Sequence, residues 1–315
     1  MKLDLTFHTG KPLKPAVILI HGLGVNRYFW ENPEKCNVFG GLFPLTVFLS
    51  KSPVANHRAV VSGGVPDPAL KGLFARLSEA GFSIASWSQR QPIGPIFSAS
   101  AELQEVFQRT KEKWPGRPLY LIGHSRGGLI AKKFLLEHSD DDVHGLITLG
   151  TPFKGTNMAG FAVYLRPIAG ILEKMVPKDS QGKMAEAINR LTMYLKSAAT
   201  LELLPQSELI ESIRGSLPGR LKKISFGGTD PSLFKLYVRP LAGGEWNILP
   251  FPDLLLKAVP ANRLPDELKS GLGDALVSAR SSVLEGSAHY DIPTNHVGIA
   301  YDKGVQDMIL DFLET

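Results

Sequence analysis

Short apolar runs alternate with longer segments of helical spacing through the first half of this chain. The continuous apolar run Ala16–Ile20 is typical of a strand buried on both faces of a parallel sheet. Residues 68–80 carry apolar side chains at helical spacing and end at Gly81, a common helix stop. The alternation continues with strands predicted at 82–87, 119–122 and 143–149 and helices at 101–114 and 127–137. The pattern predicts an α/β fold with a mostly parallel central sheet flanked by helices.

Three segments interrupt this alternation. The first is irregular, the second is helical without a clear strand, and the third is rich in Pro and Leu: 25–66, 155–215 and 228–270. Between and after them we predict two further strands and a closing helix, at 221–226, 283–285 and 305–313. We therefore predict a single domain over 1–315, in which 155–215 is a helical lid or cap and 228–270 a second insertion. These insertions leave from carboxyl ends of strands, the edge where open α/β sheets hold their sites.

A Gly-x-Ser-x-Gly pattern lies between the predicted strand 119–122 and the predicted helix 127–137. It reads Gly123-His124-Ser125-Arg126-Gly127. A serine at such a strand-to-helix turn has strained backbone geometry and projects its hydroxyl above the sheet. The bare pattern arises by chance in glycine-rich chains, but the strand before it and the helix after it favour a nucleophile over a simple turn. Ser125 is the predicted nucleophile.

The segment His21-Gly22-Leu23-Gly24 follows the first buried strand. In a hydrolase of this architecture, that junction supplies one backbone donor to the oxyanion, and the residue after the nucleophile supplies the other. We predict the N–H groups of Leu23 and Arg126 as these donors. His21 is expected to brace the loop rather than transfer protons.

A serine hydroxyl needs a base, and the base needs a partner that fixes its tautomer. The expected chain order is Ser, then an acid, then His. Among the downstream histidines, His296 is preferred because it lies just before the last helix, with His289 as its rival. Asp274 is preferred as the acid, and Asp230 remains the competitor because it closely follows a predicted strand. His138 and His144 are expected to be structural.

These residues resemble the bacterial lipases and esterases of the α/β-hydrolase superfamily, and share features with lipase-like GPI-inositol deacylases. The matching pieces include His21-Gly22-Leu23-Gly24, the serine motif, Gly150-Thr151-Pro152, Gly273-Asp274-Ala275-Leu276-Val277 and Asn295-His296. The resemblance implies a catalytic triad of Ser125, Asp274 and His296. Secreted relatives often hold calcium through an aspartate two residues after the histidine, but here that position is Gly298. We therefore expect no metal and no cofactor.

Two amphipathic stretches follow the Gly-Thr-Pro segment, and we interpret them as a lid over an acyl cleft or as helices packed on the domain. Their apolar positions are Phe161, Leu165, Ile168, Leu172 and Met175, then Met184, Ile188, Leu191 and Leu195. The predicted function is hydrolysis of carboxylic esters, with an acyl-ester or lipid substrate and at most transient contact with a lipid interface. The alternatives are an acyltransferase or thioesterase with the same triad, and a non-catalytic binding protein of this fold.

Composition narrows the functional classes further. The net charge is +5, and its scattered basic residues form no clustered face of the kind that binds nucleic acid. No apolar stretch approaches the ~20 residues that span a bilayer. The start of the chain lacks the pattern of a secretory signal, and the single cysteine, Cys36, cannot form an internal disulfide. These features favour a cytoplasmic location and an incidental thiol.

Overall fold

The computed structural model describes most of the chain, including the sheet and its flanking helices. The described residues are 3–38, 41, 43–53, 61–62, 64–66, 70–138, 142–158, 193–194, 196–238, 247–251 and 264–315. The amphipathic positions from Phe161 to Leu191, and Leu195, lie outside them. The lid interpretation of that stretch therefore stays a prediction.

A seven-stranded sheet forms the centre of the molecule. Its strands are β1 (Asp4–His8), β2 (Ala16–Ile20), β3 (Ser83–Ser88), β4 (Leu119–His124), β5 (Val143–Leu149), β6 (Lys222–Gly228) and β7 (Ala288–Ile292). They lie in the order β1-β3-β2-β4-β5-β6-β7. Strand β1 pairs antiparallel with β3, and every other pair in the sheet is parallel. The predicted α/β class with a mostly parallel sheet is confirmed.

Four helices of eight or more residues cover the two faces of this sheet in the described part of the chain. They are α1 (Leu73–Ala80), α2 (Ile96–Lys113), α3 (Arg126–Glu137) and α4 (Lys303–Glu314). Strand β2 is fully buried because its alternate residues face both layers. Val17 and Leu19 pack in the core that α1 and α4 cover, whereas Ile18 and Ile20 pack in the core beneath α2 and α3. This two-sided burial explains the uninterrupted apolar run.

Shorter elements connect this framework. Helical turns lie at Tyr28–Glu31, Ala198–Leu201 and Glu208–Ser212, with 3₁₀ turns at Pro33–Lys35, Leu45–Leu49, Asp266–Leu268, Ala279–Ser281 and Gly298–Ala300. Two small antiparallel sheets pair Asn37–Val38 with Phe43–Pro44 and Ser50–Pro53 with Gly64–Pro66. Among the described residues, no helix is long and apolar enough to cross a membrane.

A third small sheet joins two of the interrupting segments. Phe234–Val238 pairs antiparallel with Asn247–Phe251 on one side, and its Leu236 and Tyr237 pair with Val61–Ser62 on the other. The segments 25–66 and 228–270 therefore share backbone hydrogen bonds, although more than 150 residues separate them along the chain. Hydropathy alone did not predict this pairing.

The last strand of the central sheet lies at 288–292, so the predicted strand at 283–285 is wrong. Among the described strands, β7 lies at the edge of the sheet with β6 as its one neighbour, and its residues are exposed or half-buried, with none fully buried. Its sequence Ala-His-Tyr-Asp-Ile therefore carries no apolar run. His289, the rival candidate for the base, lies in this strand.

Candidate active site

Ser125 occupies the sharp turn between β4 and α3. Its backbone has φ 54° and ψ −127°, an unusual conformation for a residue other than glycine. The surrounding chain holds the turn on both sides, because the Ser125 N–H donates to the Leu149 carbonyl at 2.8 Å and its carbonyl accepts from the Gly128 N–H at 3.1 Å. This strained turn ends the strand and aims the side chain at the carboxyl edge of the sheet.

The two glycines of the motif allow the turn to pack against its neighbours. A Cβ at Gly127 would lie 2.2 Å from the Ile20 carbonyl oxygen, in the adjacent strand β2. A Cβ at Gly123 would lie 2.5 Å from the backbone nitrogen of Gly128, in the first turn of α3. Both obstacles are backbone atoms that cannot move aside cheaply. Any side chain at position 123 or 127 would therefore clash with backbone atoms, so both positions require glycine.

Ser125, His296 and Asp274 form a continuous chain of hydrogen bonds. The Oγ of Ser125 lies 2.9 Å from the Nε2 of His296, and the Nδ1 of His296 lies 2.8 Å from the Oδ2 of Asp274. A carboxylate accepts, so Nδ1 carries the proton and the lone pair of Nε2 faces the serine hydroxyl. All three residues are buried, and Asp274 is fully inaccessible.

The second oxygen of the Asp274 carboxylate, Oδ1, is held by backbone hydrogen bonds. Oδ1 accepts from the N–H groups of Leu276 at 3.0 Å and Val277 at 2.7 Å. The Asp274 carbonyl accepts from the His296 N–H at 3.0 Å, so the acid turn also holds the backbone of the histidine. These backbone hydrogen bonds fix the orientation of the carboxylate towards the His296 ring.

The rival residues point elsewhere. Asp230 accepts from the N–H of Ser232 through Oδ1 at 2.9 Å, which caps a local turn. His289 contacts the Ser225 hydroxyl and the Asp291 carboxylate, at 2.8 Å and 3.1 Å. Neither makes a hydrogen bond to Ser125 or His296 among the described residues.

The remaining candidates have structural surroundings. His138 ends α3, where its ring stacks on Phe134. His144 lies in β5 with its Nδ1 at 3.0 Å from the Asp142 carbonyl. The thiol of Cys36 is buried, and burial raises its pKa to about 11, so it is protonated at neutral pH. This fits the interpretation of Cys36 as an incidental thiol.

The first proposed oxyanion donor is oriented by its neighbour His21. The Nδ1 of His21 donates to the Gly22 carbonyl at 2.9 Å, because its Nε2 accepts from the Gln89 N–H at 3.0 Å. In a trans peptide the next N–H points opposite to the carbonyl, so the Leu23 N–H is directed away from His21. A Cβ on Gly22 would lie 3.0 Å from the Cβ of Ser125, which places this peptide beside the nucleophile.

The second proposed donor is the N–H of Arg126, the first residue of α3. N–H groups in the first turn of a helix have no partner within the helix and lie at the positive end of its dipole. Within the described part of the chain, neither this N–H nor that of Leu23 donates to an acceptor. Both donors predicted from the sequence are thus unpaired and close to Ser125.

The side chain of Arg126 has a role that the sequence did not suggest. It is fully buried, and its Nη2 donates to the Gly94 carbonyl at 2.6 Å and lies 3.4 Å from the Glu202 carboxylate. Burial lowers the pKa of the guanidinium, and the charge of Glu202 opposes that shift. Glu202 also accepts from the N–H of Ile96, at the start of α2. These contacts join the serine turn to distant segments, which no local pattern could reveal.

We expect the protein to lose stability as the pH falls from about 6.5 towards 4. Burial lowers the pKa of His21 to about 4, because the ring is fully enclosed, and the nearby positive charge of Arg126 adds to that effect. In that pH range the unfolded chain binds a proton that the folded chain does not, so acid favours unfolding. For His21 alone the loss is about 2 kcal/mol at pH 5 relative to neutral pH.

Urea unfolding at pH 7 and pH 5 measures this loss, and His21→Gln is the comparison variant. Glutamine does not titrate, so the difference in unfolding free energy between the two pH values should shrink by about the same 2 kcal/mol. An undiminished difference in the variant would show that His21 does not carry the effect.

An apolar cavity of about 120 Å³ opens at Ser125. The serine turn and three further groups of residues form its wall: residues 22–38 after β2, the segments that carry Asp274 and His296, and the parts of segment 155–215 on either side of its amphipathic stretch. The lining residues include Leu23, Val25, Phe29, Val38, Met158, Tyr194, Leu203, Leu276 and Val297. Among the described residues, no group of His, Cys, Asp and Glu is arranged to hold a metal ion.

Comparison with known sequences gives two partial matches. The profile of the family described as serine aminopeptidase, S33, matches residues 73–211, which include Ser125 and make up less than half of the chain. The protein SERAC1 of Danio rerio is 29% identical over 93 residues. That match covers 26% of this chain and 14% of the zebrafish protein.

Comparison with solved structures gives similarity over nearly the whole chain. The mature form of the Bacillus licheniformis lipase BlEst2 aligns with a TM-score of 0.54 at 16% identity, covering 98% of this chain and 97% of the lipase. The esterase EaEST of Exiguobacterium antarcticum aligns with a TM-score of 0.52 at 12% identity, covering 99% and 96%. At such identities the likeness concerns the fold, and the resemblance predicted from the motifs is confirmed at that level.

Proposed function

We propose that this chain, an α/β-hydrolase by its fold, is a serine carboxylester hydrolase that works through Ser125, His296 and Asp274. The observation that carries the proposal is the hydrogen-bonded chain from the Ser125 hydroxyl through His296 to the Asp274 carboxylate. A buried hydroxyl within 2.9 Å of an imidazole whose tautomer is fixed has the arrangement that nucleophilic catalysis requires.

The reaction proceeds in two halves. The Oγ of Ser125 attacks the ester carbonyl while its proton passes to the Nε2 of His296, and a C–O bond forms. The tetrahedral intermediate then expels the alcohol, which takes the proton from His296 as its own C–O bond breaks. In the second half, water attacks the acyl-enzyme, His296 receives the water proton, and the acid leaves as Ser125 recovers its hydrogen. Asp274 stabilises the imidazolium that forms in each half.

The oxyanion of each intermediate is assigned to the N–H groups of Leu23 and Arg126. They are unpaired among the described residues and lie on two separate segments beside Ser125. Donors fixed before the reaction stabilise developing charge without reorganising. The hydrogen bond from His21 to the Gly22 carbonyl supports this assignment, since it holds the peptide that carries the Leu23 N–H.

The substrate is proposed to be an ester with an apolar acyl group. The cavity at Ser125 is lined by aliphatic and aromatic side chains, which favour burial of hydrocarbon over charged groups. We also propose that segment 155–215 covers this cavity as a lid. The lining residues Met158 and Tyr194, near the two ends of the amphipathic stretch, support this placement.

A series of p-nitrophenyl esters of increasing chain length, with a fluorophosphonate probe beside it, tests the function. A serine hydrolase should release nitrophenol from at least part of the series and should bind the probe covalently at Ser125, located by peptide mass spectrometry. Covalent labelling without any ester turnover would favour another acyl-transfer reaction. An absence of both would exclude the proposal.

A further inference from the structure

We propose that the side chain of His124 is a positioning residue for the catalytic base, holding the backbone of His296 at a fixed distance from Ser125. The inference rests on the proposed function, because it concerns how the base of that reaction is held. His124 is the last residue of β4 and directly precedes the nucleophile.

The contact that carries this inference is a hydrogen bond to a backbone carbonyl. The Nε2 of His124 lies 2.8 Å from the carbonyl oxygen of His296. A carbonyl only accepts, so Nε2 carries the proton and donates. Within the described part of the chain, this is the only donor to that carbonyl. The opposite side of the His296 backbone is held by its own N–H, which donates to the Asp274 carbonyl at 3.0 Å.

The ring of His124 is itself held by two aromatic neighbours. It stacks on Phe29 with ring centroids 4.5 Å apart, and it lies perpendicular to the Trp30 ring with centroids 6.4 Å apart. The Phe29 carbonyl in turn accepts from the hydroxyl of Tyr301, a buried residue just after the base loop. The ring therefore has little freedom to swing away from the His296 carbonyl.

The protonation state of His124 suits this role. Burial holds the pKa of His124 well below its usual value, and the nearby ring of His296 adds to that effect. His124 is therefore neutral when His296 takes up its proton, so it does not oppose the imidazolium of the reaction. Its Nδ1 is buried and has no hydrogen-bond partner among the described residues, so the ring works through Nε2 alone.

The geometric consequence concerns the distance between nucleophile and base. Ser125 and the ring that holds His296 are consecutive residues on one rigid strand and turn. Ser125 and His296 are 171 residues apart in sequence, and the same stretch of backbone thereby fixes the positions of both. Reacting groups displaced by about 1 Å lose rate on the order of 10²-fold, so such a reference matters for turnover.

The test compares two variants, His124→Gln and His124→Asn, whose amide side chains differ by one methylene group and therefore in how far the amide nitrogen extends. In His124→Gln the amide nitrogen can occupy the place of Nε2, whereas in His124→Asn it lies near the place of Nδ1 and cannot reach the His296 carbonyl. We expect kcat to fall by about 10- to 100-fold in His124→Asn with KM changed less than about threefold. His124→Gln should recover most of that loss. His124→Phe, which keeps the ring but not the donor, should resemble His124→Asn.

A second measurement does not depend on turnover. The proton on Nδ1 of His296, hydrogen-bonded to Asp274, should give a downfield resonance in the proton NMR spectrum of the wild type and of His124→Gln. In His124→Asn that resonance should broaden or disappear, because the histidine is less firmly held.

Equal kcat in the two amide variants, or an unchanged resonance in both, would overturn the positioning role. A wild type that hydrolyses no ester but shows these spectral differences would refute the proposed function alone.

Discussion

Ser125→Ala is expected to lower kcat for ester hydrolysis by at least about 10⁴-fold while leaving the protein folded. The substitution removes the oxygen that would form the acyl-enzyme, together with its hydrogen bond to the Nε2 of His296. The backbone at this position has a positive φ for serine and for alanine alike, so the strain of the turn does not change. Kinetics with a p-nitrophenyl ester and the midpoint of urea unfolding measure the two quantities.

Ser225→Ala is the matched control for this variant. Ser225 is also a buried serine whose hydroxyl lies 2.8 Å from a histidine, His289, and that histidine contacts an aspartate. This second set lies on β6 and the edge strand β7 and does not line the cavity. Its loss should leave kcat within about threefold of the wild type. If Ser125→Ala retained activity while Ser225→Ala lost it, the nucleophile would be wrongly assigned.

Asp274→Asn is expected to lower kcat by about 10³- to 10⁴-fold with little effect on KM. The amide oxygen can still accept from the N–H groups of Leu276 and Val277, so the acid turn keeps its shape. The amide nitrogen would then face the Nδ1 of His296 and force the proton onto Nε2. In that tautomer the histidine cannot accept the proton of Ser125.

Asp230→Asn is the control for the acid, because its sequence position made it the competing candidate. Its Oδ1 accepts only from the Ser232 N–H among the described residues, a bond that an amide oxygen can also make. The kcat of this variant should stay within about threefold of the wild type. A large loss in Asp230→Asn, with Asp274→Asn nearly unaffected, would reverse the assignment of the acid.

The sequence predicted the elements whose burial leaves a pattern in the chain. Strand β2 was found because it is buried on both faces, and helix α4 because its apolar residues recur on one side. Strand β7 was misplaced by several residues because an edge strand with mixed exposure has no apolar run. The small sheet through 234–238 was missed since its pairing depends on residues far apart in the chain.

The candidate site followed the same rule. Ser125 could be predicted as a candidate because the serine and the two glycines that the turn requires lie within five consecutive residues, 123–127. His296 and Asp274 could be ranked through their chain order and the resemblance, and the structure brings both into hydrogen-bonding contact. The links made by His124 and by the side chain of Arg126 join segments with no local signal. Such contacts depend on the packed fold, so a linear pattern could not disclose them.

The backbone pairing between residues 61–62 and the strand at 234–238 constrains how this protein can be re-engineered. A chimera that exchanged the segment 228–270 alone for that of a relative would remove the partner of Val61–Ser62, and the reverse exchange would strip one edge of the strand at 234–238. Either graft would leave unsatisfied peptide groups at a sheet margin, where foreign chains can add. A chimera meant to transfer substrate specificity between relatives should therefore exchange the segments 25–66 and 228–270 together.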